Sequence, residues 1–229
     1  MKDAAMAGRL DVGRVMRIVG HRIKLTKAHM ELMRIPRRFW EVDFDSIPDC
    51  EGKAVLRTYL RNIEDMLDRG EGLLLWGPNG HGKTSAAVIA MMEARRRGAS
   101  ALFVQAETLR QGVLEGEMFS DDKSLVERAR EVDFLVLDDL GKEHTGESGY
   151  TERLFENLFR GRSASKRVTV VTTNLPTKPP QDKPNAASLK TKYIASMLEV
   201  MREAMYPVLL RAHNWRDRAQ QDMEARLTG

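Results

Sequence analysis

The feature that most narrows the folds open to this chain is an octet, Gly77-Pro78-Asn79-Gly80-His81-Gly82-Lys83-Thr84. Leu73-Leu74-Leu75-Trp76 precedes it and reads as a short buried strand, and residues 83–97 follow as a helix that Gly98 ends. The octet fits G-x-x-x-x-G-K-[ST], and a strand before it with a helix after it is the setting that gives the pattern meaning. Its glycines let the backbone curl so that successive N–H groups point inward at phosphate oxygens. The helix starting near Lys83 adds its positive end. Lys83 brings a mobile cation for the outer phosphates of a nucleoside triphosphate, and Thr84 brings a hydroxyl for Mg2+. All eight residues, Gly77 through Thr84, form the expected nucleotide-binding set.

Strand and helix patterns alternate through the remainder. Further strands are expected at 101–104, 134–137, 168–173 and 206–210, with helices at 106–131 (broken near 119–122), 148–162 and 188–204. Short apolar strands between helices imply an α/β fold, a parallel sheet covered on both faces. Upstream, residues 8–33 read as a loosely periodic helix weakened by Gly13 and Gly20 and closed by Pro36. An aromatic-acidic connector, Phe39 to Phe44, leads to a helix over 51–69 that Gly70 stops. The expected division is a basic helical segment over 1–35 and a nucleotide-binding domain over 36–229, which 229 residues accommodate.

Cys50 is the sole cysteine, which excludes an intrachain disulfide framework and a cysteine-rich zinc site. No apolar run approaches the roughly 18–20 residues that span a bilayer. The basic start lacks the apolar core and cleavage site of a secretory leader, so a cytoplasmic protein with no membrane attachment is expected. Residues 1–40 carry ten Lys/Arg against three acids, a net of +7, while the remainder nets −3. Such an arm points to a polyanion or an acidic protein partner, the plainer alternative being a solvated helix face.

Two further pieces complete a candidate site. Leu135-Val136-Leu137 ends in Asp138-Asp139, 55 residues beyond Lys83. At the carboxyl end of a parallel strand, Asp138 is placed to hold Mg2+ and Asp139 to orient or polarise the attacking water. Asp139 is shorter than the Glu that many hydrolases use there. Thr172-Thr173-Asn174 ends the next strand, where Asn174 is placed to read the γ-phosphate or fix the lytic water.

This ordered set resembles the AAA+ ATPases, and within them the DnaC/IstB group of helicase loaders and transposition helpers. The resemblance spans about residues 36–217 and rests on Gly77–Thr84, Val136–Glu143, Ser165-Lys166-Arg167 with Thr172–Leu175, Tyr193–Leu198 and Asn214-Trp215-Arg216. It implies a P-loop NTPase fold of the ASCE type with a five-stranded parallel sheet, and ATP with Mg2+ as cofactors. The absence of an N-K-x-D motif also speaks against guanine. Ile35–Phe39 with Phe44 is similar to the stretch that borders the adenine. By the same resemblance Asn174 is a sensor-1 residue and Arg216 a sensor-2-like arginine. The group assembles with ATP into homo-oligomers whose sites lie at subunit boundaries, completed by a neighbour's arginine. Where the group has that arginine, this chain has Met197. Arg202, one turn further, is the favoured substitute, with Arg160 and Arg162 as other candidates, and weak hydrolysis is the expected consequence.

The function implied is DnaC-like loading of a hexameric replicative helicase onto single-stranded DNA, with residues 1–34 as the helicase hook. Aromatic residues make up only 6% of the chain, so DNA contacts are expected to be mainly with phosphates. The alternatives are an IstB-like transposition helper and a nucleotide-gated adaptor with little hydrolysis. A small-molecule kinase is disfavoured, because the loop at 176–184 offers Lys178 and Lys183 but no arginine.

Overall fold

The computed structural model describes residues 22–114, 124–143, 149–212 and 223–227. Its elements, in chain order, are α1 (Lys27–Leu32), α2 (Glu51–Arg61), α3 (Ile63–Arg69), β1 (Gly72–Trp76), α4 (Lys83–Arg96) and β2 (Ala101–Gln105). There follow α5 (Ala106–Leu114), α6 (Leu125–Glu131), β3 (Phe134–Leu140), α7 (Tyr150–Ala164), β4 (Val168–Thr173), α8 (Leu189–Lys192), α9 (Ala195–Ala204) and β5 (Met205–Leu209).

The five strands pair in the order β2-β3-β4-β1-β5, all parallel. Every residue of β4 is buried, as a central strand covered on both faces requires. Leu73 and Leu75 face one apolar layer, built with α2, α3 and α4, and Leu74 faces the other, built with α5, α6, α7 and α9. Helix α4 buries nine of its fourteen residues and so lacks a polar stripe, because it lies between the sheet and the outer helices. The strand order places the carboxyl ends of β1, β4 and β3 side by side, and the loops leaving β1 and β3 open there.

The described part of the N-terminal segment is less helical than the sequence reading expects. Residues 22–26 form no helix, and α1 begins only where Thr26 and His29 close a capping box. Met30, Met33 and Ile35 then enter the first apolar layer. The Ile23 N–H bonds to the Arg96 carbonyl at 2.8 Å, and the Phe103 N–H to the Met33 carbonyl at 2.8 Å. The helix expected over 51–69 breaks at Asn62, and that over 188–204 breaks at Tyr193 and Ile194.

Arg162 corrects an expectation. Its side chain is 1% exposed and donates to the carbonyls of Ala129 (2.6 Å), Val132 (2.8 Å) and Val168 (2.5 Å) and to Thr169 Oγ1 at 2.9 Å. Burial pushes its pKa down to about 9, with Arg167 adding to the effect. It ties the end of α6 to the starts of β3 and β4 and cannot reach a neighbouring subunit.

Candidate functional site

The octet begins where β1 ends. Gly77 takes φ 141°, and a Cβ there would lie 2.3 Å from the Leu210 carbonyl oxygen, so only glycine admits this approach. Leu210 itself continues the pairing beside β1, its N–H bonding to the Trp76 carbonyl at 2.9 Å. Gly80 and Gly82 are also left-handed, each at φ 81°. Ile47 and Pro48 pack against Gly82 from the connector side. His81 Nδ1 accepts the Ala212 N–H at 3.1 Å, fastening the chain after β5 to the loop.

Lys83 opens α4, is 7% exposed and donates to the Gly77 and Pro78 carbonyls at 2.9 and 2.6 Å. Its ammonium is thereby held over the curl of the loop. The next residue, Thr84, donates through Oγ1 to Asp138 Oδ1 at 3.0 Å. Thr172 Oγ1 donates to the same oxygen at 2.7 Å and accepts the Asp139 N–H at 2.9 Å. One carboxylate oxygen thus joins the start of α4, the end of β3 and the end of β4.

Asp138 is 1% exposed. Burial raises its carboxyl above the ordinary range, the Thr172 hydroxyl opposes this, the Asp139 charge adds to it, and Thr84 and Lys142 pull it down. Beyond it the strand register shifts between Leu137 and Leu140, and Asp139 adopts φ 60°. That irregularity turns Asp139 out of the ladder. Its carboxylate meets Lys142 Nζ at 2.8 Å. Asn174 follows β4 directly, half-buried, and has no hydrogen-bond partner among the described residues. Thr173 fixes the tip by donating to the Leu140 carbonyl at 2.6 Å.

Three positive-φ glycines, a helix N-terminus and a buried lysine suit a phosphate chain. A carboxylate and a hydroxyl, both hard oxygen donors, suit Mg2+. The residues present fit a magnesium–nucleotide, with Lys83 and the loop amides for phosphate and Thr84 and Asp138 for the metal. Among the described residues no cluster of three or more His, Cys, Asp or Glu offers another metal site.

The sequence-derived set divides accordingly. Gly77 to Thr84, Asp138, Asp139 and Asn174 all lie at the carboxyl ends of β1, β3 and β4. Arg202 is exposed on α9, which packs on the opposite face of the sheet from α4, so it serves no cradle of its own chain. Met197 is fully buried in that second layer and fills the core. Arg160 pairs with Glu156 at 2.9 Å on the surface of α7. Arg216, with Asn214 and Trp215, lies outside the described residues.

Two features escape a reading of the sequence. The first is Thr172, whose hydroxyl links both aspartates. The second is Glu143, 3% exposed, whose carboxylate accepts the Gly141 N–H at 2.8 Å, accepts the Tyr193 hydroxyl and pairs with Lys192 at 3.4 Å. Lys192 also donates to the Gly141 carbonyl at 2.7 Å. Burial, and then the Glu143 charge, push the Tyr193 phenol far above its ordinary pKa, so it remains a donor. The loop after Asp139 is thereby tied to the end of α8. Glu143 and Tyr193 both lie in the runs that carry the resemblance, but no local pattern pairs residues 50 positions apart.

Comparison with known proteins bears on the family and the fold. The family model described as IstB-like ATP binding protein matches residues 9–193. A protein described as ATP-binding in an insertion sequence of Mycobacterium tuberculosis is 30% identical over 142 residues, 59% of this chain. The chain spans about half the length of that relative, 52%. Among solved structures, the DnaC helicase loader superposes with a TM-score of 0.63 at 21% identity, covering 77% of this chain and all of that one. DnaI superposes with a TM-score of 0.62 at 22% identity, covering 82% of this chain and all of that one. No helix among the described residues is long and apolar enough to cross a membrane.

Proposed function

The chain belongs to the IstB-like ATP-binding family, and from that premise we propose that it is an ATPase that loads a hexameric replicative helicase onto single-stranded DNA. The observation that carries the ATPase part is the shared oxygen of Asp138, which couples Thr84 of the cradle helix to Thr172 of β4. Lys83 and the amides of 77–84 bind and orient the phosphates. Thr84 and Asp138 would hold Mg2+, which would supply neutralisation of phosphate charge. Asp139 orients the attacking water once Lys142 releases it, and Asn174 reads the γ-phosphate side. Each site lies at a boundary between copies assembled with ATP, where Arg202 of the next copy stabilises transition-state charge.

The helicase-loading part is supported by the fold shared with DnaC and DnaI, whose chains are covered in full. Residues 1–34 are the partner-binding segment and 36–229 the ATPase domain in this reading. A second reading, a helper ATPase of transposition, is favoured by the insertion-sequence relative. A pull-down with a replicative helicase and with a transposase separates the two. Retention of the helicase in an ATP-dependent manner supports loading, and retention of the transposase alone sinks it. Turnover no higher than that of Lys83→Ala would instead leave an adaptor without hydrolysis.

A further inference from the structure

A second concavity, about 490 Å3, opens on the first face of the sheet, toward the end of α4 remote from the octet. Its floor is apolar, made by Leu60 of α2 and by Ile89 and Met92 of α4. Its rim is arginine: Arg22, Arg57, Arg61, Arg96 and Arg97. Two carboxylates, Asp43 and Glu93, share the lining. Glu93 is already engaged by Arg96 at 3.2 Å, Arg97 at 3.3 Å and Arg22 at 3.8 Å. Arg57 and Arg61 stand one turn apart on exposed positions of α2 and make no ion pair among the described residues. Guanidinium groups exceed carboxylates here, and a partner that covers the cavity must bring anions.

A nucleic-acid strand would answer the charge but not the floor. The one aromatic ring in the lining, Phe44, already carries Arg57 at 5.1 Å and Lys53 at 5.4 Å from its centroid. A base therefore has no free platform to stack on, and a phosphodiester has nothing to place against Leu60, Ile89 and Met92. A peptide with both characters matches the whole cavity. We propose that it docks an acidic segment of a partner protein that carries an apolar side chain. The apolar group fills the floor, and flanking carboxylates take Arg57 and Arg61 in forked hydrogen bonds. The site is separate from the nucleotide cradle and does not rest on helicase loading.

The test is fluorescence anisotropy on the full chain with a labelled dodecapeptide of alternating Glu and Asp around a central Leu-Leu pair. R57E/R61E is expected to weaken binding at least about tenfold, while K183E/K190E, an equal charge change at two exposed lysines outside the cavity, weakens it less than about threefold. Replacing the peptide leucines with alanine is expected to weaken binding about fivefold or more. A fluorescent ATP analogue should bind R57E/R61E as it binds the wild type, which verifies the fold; should that variant misfold, R57Q/R61Q carries the same comparison. Absence of peptide binding, equal losses in the two charge reversals, or undiminished binding of the alanine peptide overturns the proposal. So does a thymidine dodecanucleotide that displaces the peptide and loses its own affinity in R57E/R61E, since that marks a nucleic-acid site.

Discussion

In Asp138→Asn, the change at the carboxylate proposed to hold the metal acts on stability and on binding in opposite directions. Asp138 is buried beside Asp139, and its carboxyl is held above the ordinary range despite hydroxyl bonds from Thr172 and Thr84. Desolvation and like-charge repulsion therefore outweigh those bonds. A group whose folded pKa is raised binds more protons folded than unfolded, so its contribution to stability falls as pH rises from the unfolded value through the folded one. Asparagine keeps an oxygen for Thr84 and Thr172 and removes the charge. The expected gain is about 1 kcal/mol, or about 2–4 °C in Tm for a chain of this size. With Mg–ATP at about a hundred times its Kd, the wild type gains about 2.7 kcal/mol, and the variant loses most of that. The two melting temperatures should cross: the variant higher without nucleotide, the wild type higher with it. Differential scanning fluorimetry from pH 5 to 8 reads both, and the gap without nucleotide should narrow toward the acid end. A variant less stable than the wild type without nucleotide, or equally stabilised by Mg–ATP, refutes the reasoning.

Thr172→Val removes a donor to Asp138 and leaves the Asp139 N–H without its acceptor; urea denaturation should show a loss of about 2 kcal/mol. Glu143→Ala strands the Tyr193 hydroxyl and the Gly141 N–H and should cost about 2–4 kcal/mol, with Glu143→Gln recovering at least half by the same measurement. Arg162→Met takes the donor from the buried carbonyls of Ala129 and Val168 and from the half-buried one of Val132 and should destabilise by about 3 kcal/mol or more. Arg202→Ala should leave denaturation within about 0.5 kcal/mol of the wild type and lower turnover only in the assembled state; unchanged turnover there removes Arg202 from the site.

What the sequence discloses here follows the range of each interaction. The strands are legible because a buried parallel strand must be apolar along its length, and the cradle because glycine, lysine and threonine are required at adjacent positions. Asp138 is legible from its strand and from the octet together. The bonds from Thr172 to both aspartates and from Tyr193 to Glu143 join positions 33 to 50 residues apart, which no local period encodes. Arg162 reads like any helix-surface arginine, and only the packed fold reveals that it ends among carbonyls. The breaks at Asn62 and at Tyr193-Ile194 interrupt runs of helix-compatible residues, so they come from packing and not from a glycine or proline signal. Met197 stands where the resemblance implies an arginine, and its side chain is fully buried in the second apolar layer.

The proposal that Gly77 to Thr84 with Asp138 forms a nucleotide site that drives assembly meets its most direct test in size-exclusion chromatography with light scattering. The full chain and Lys83→Ala are compared with and without Mg–ATP. A larger species is expected for the wild type with Mg–ATP alone and none for Lys83→Ala. No shift in the wild type, or the same shift in Lys83→Ala, contradicts it.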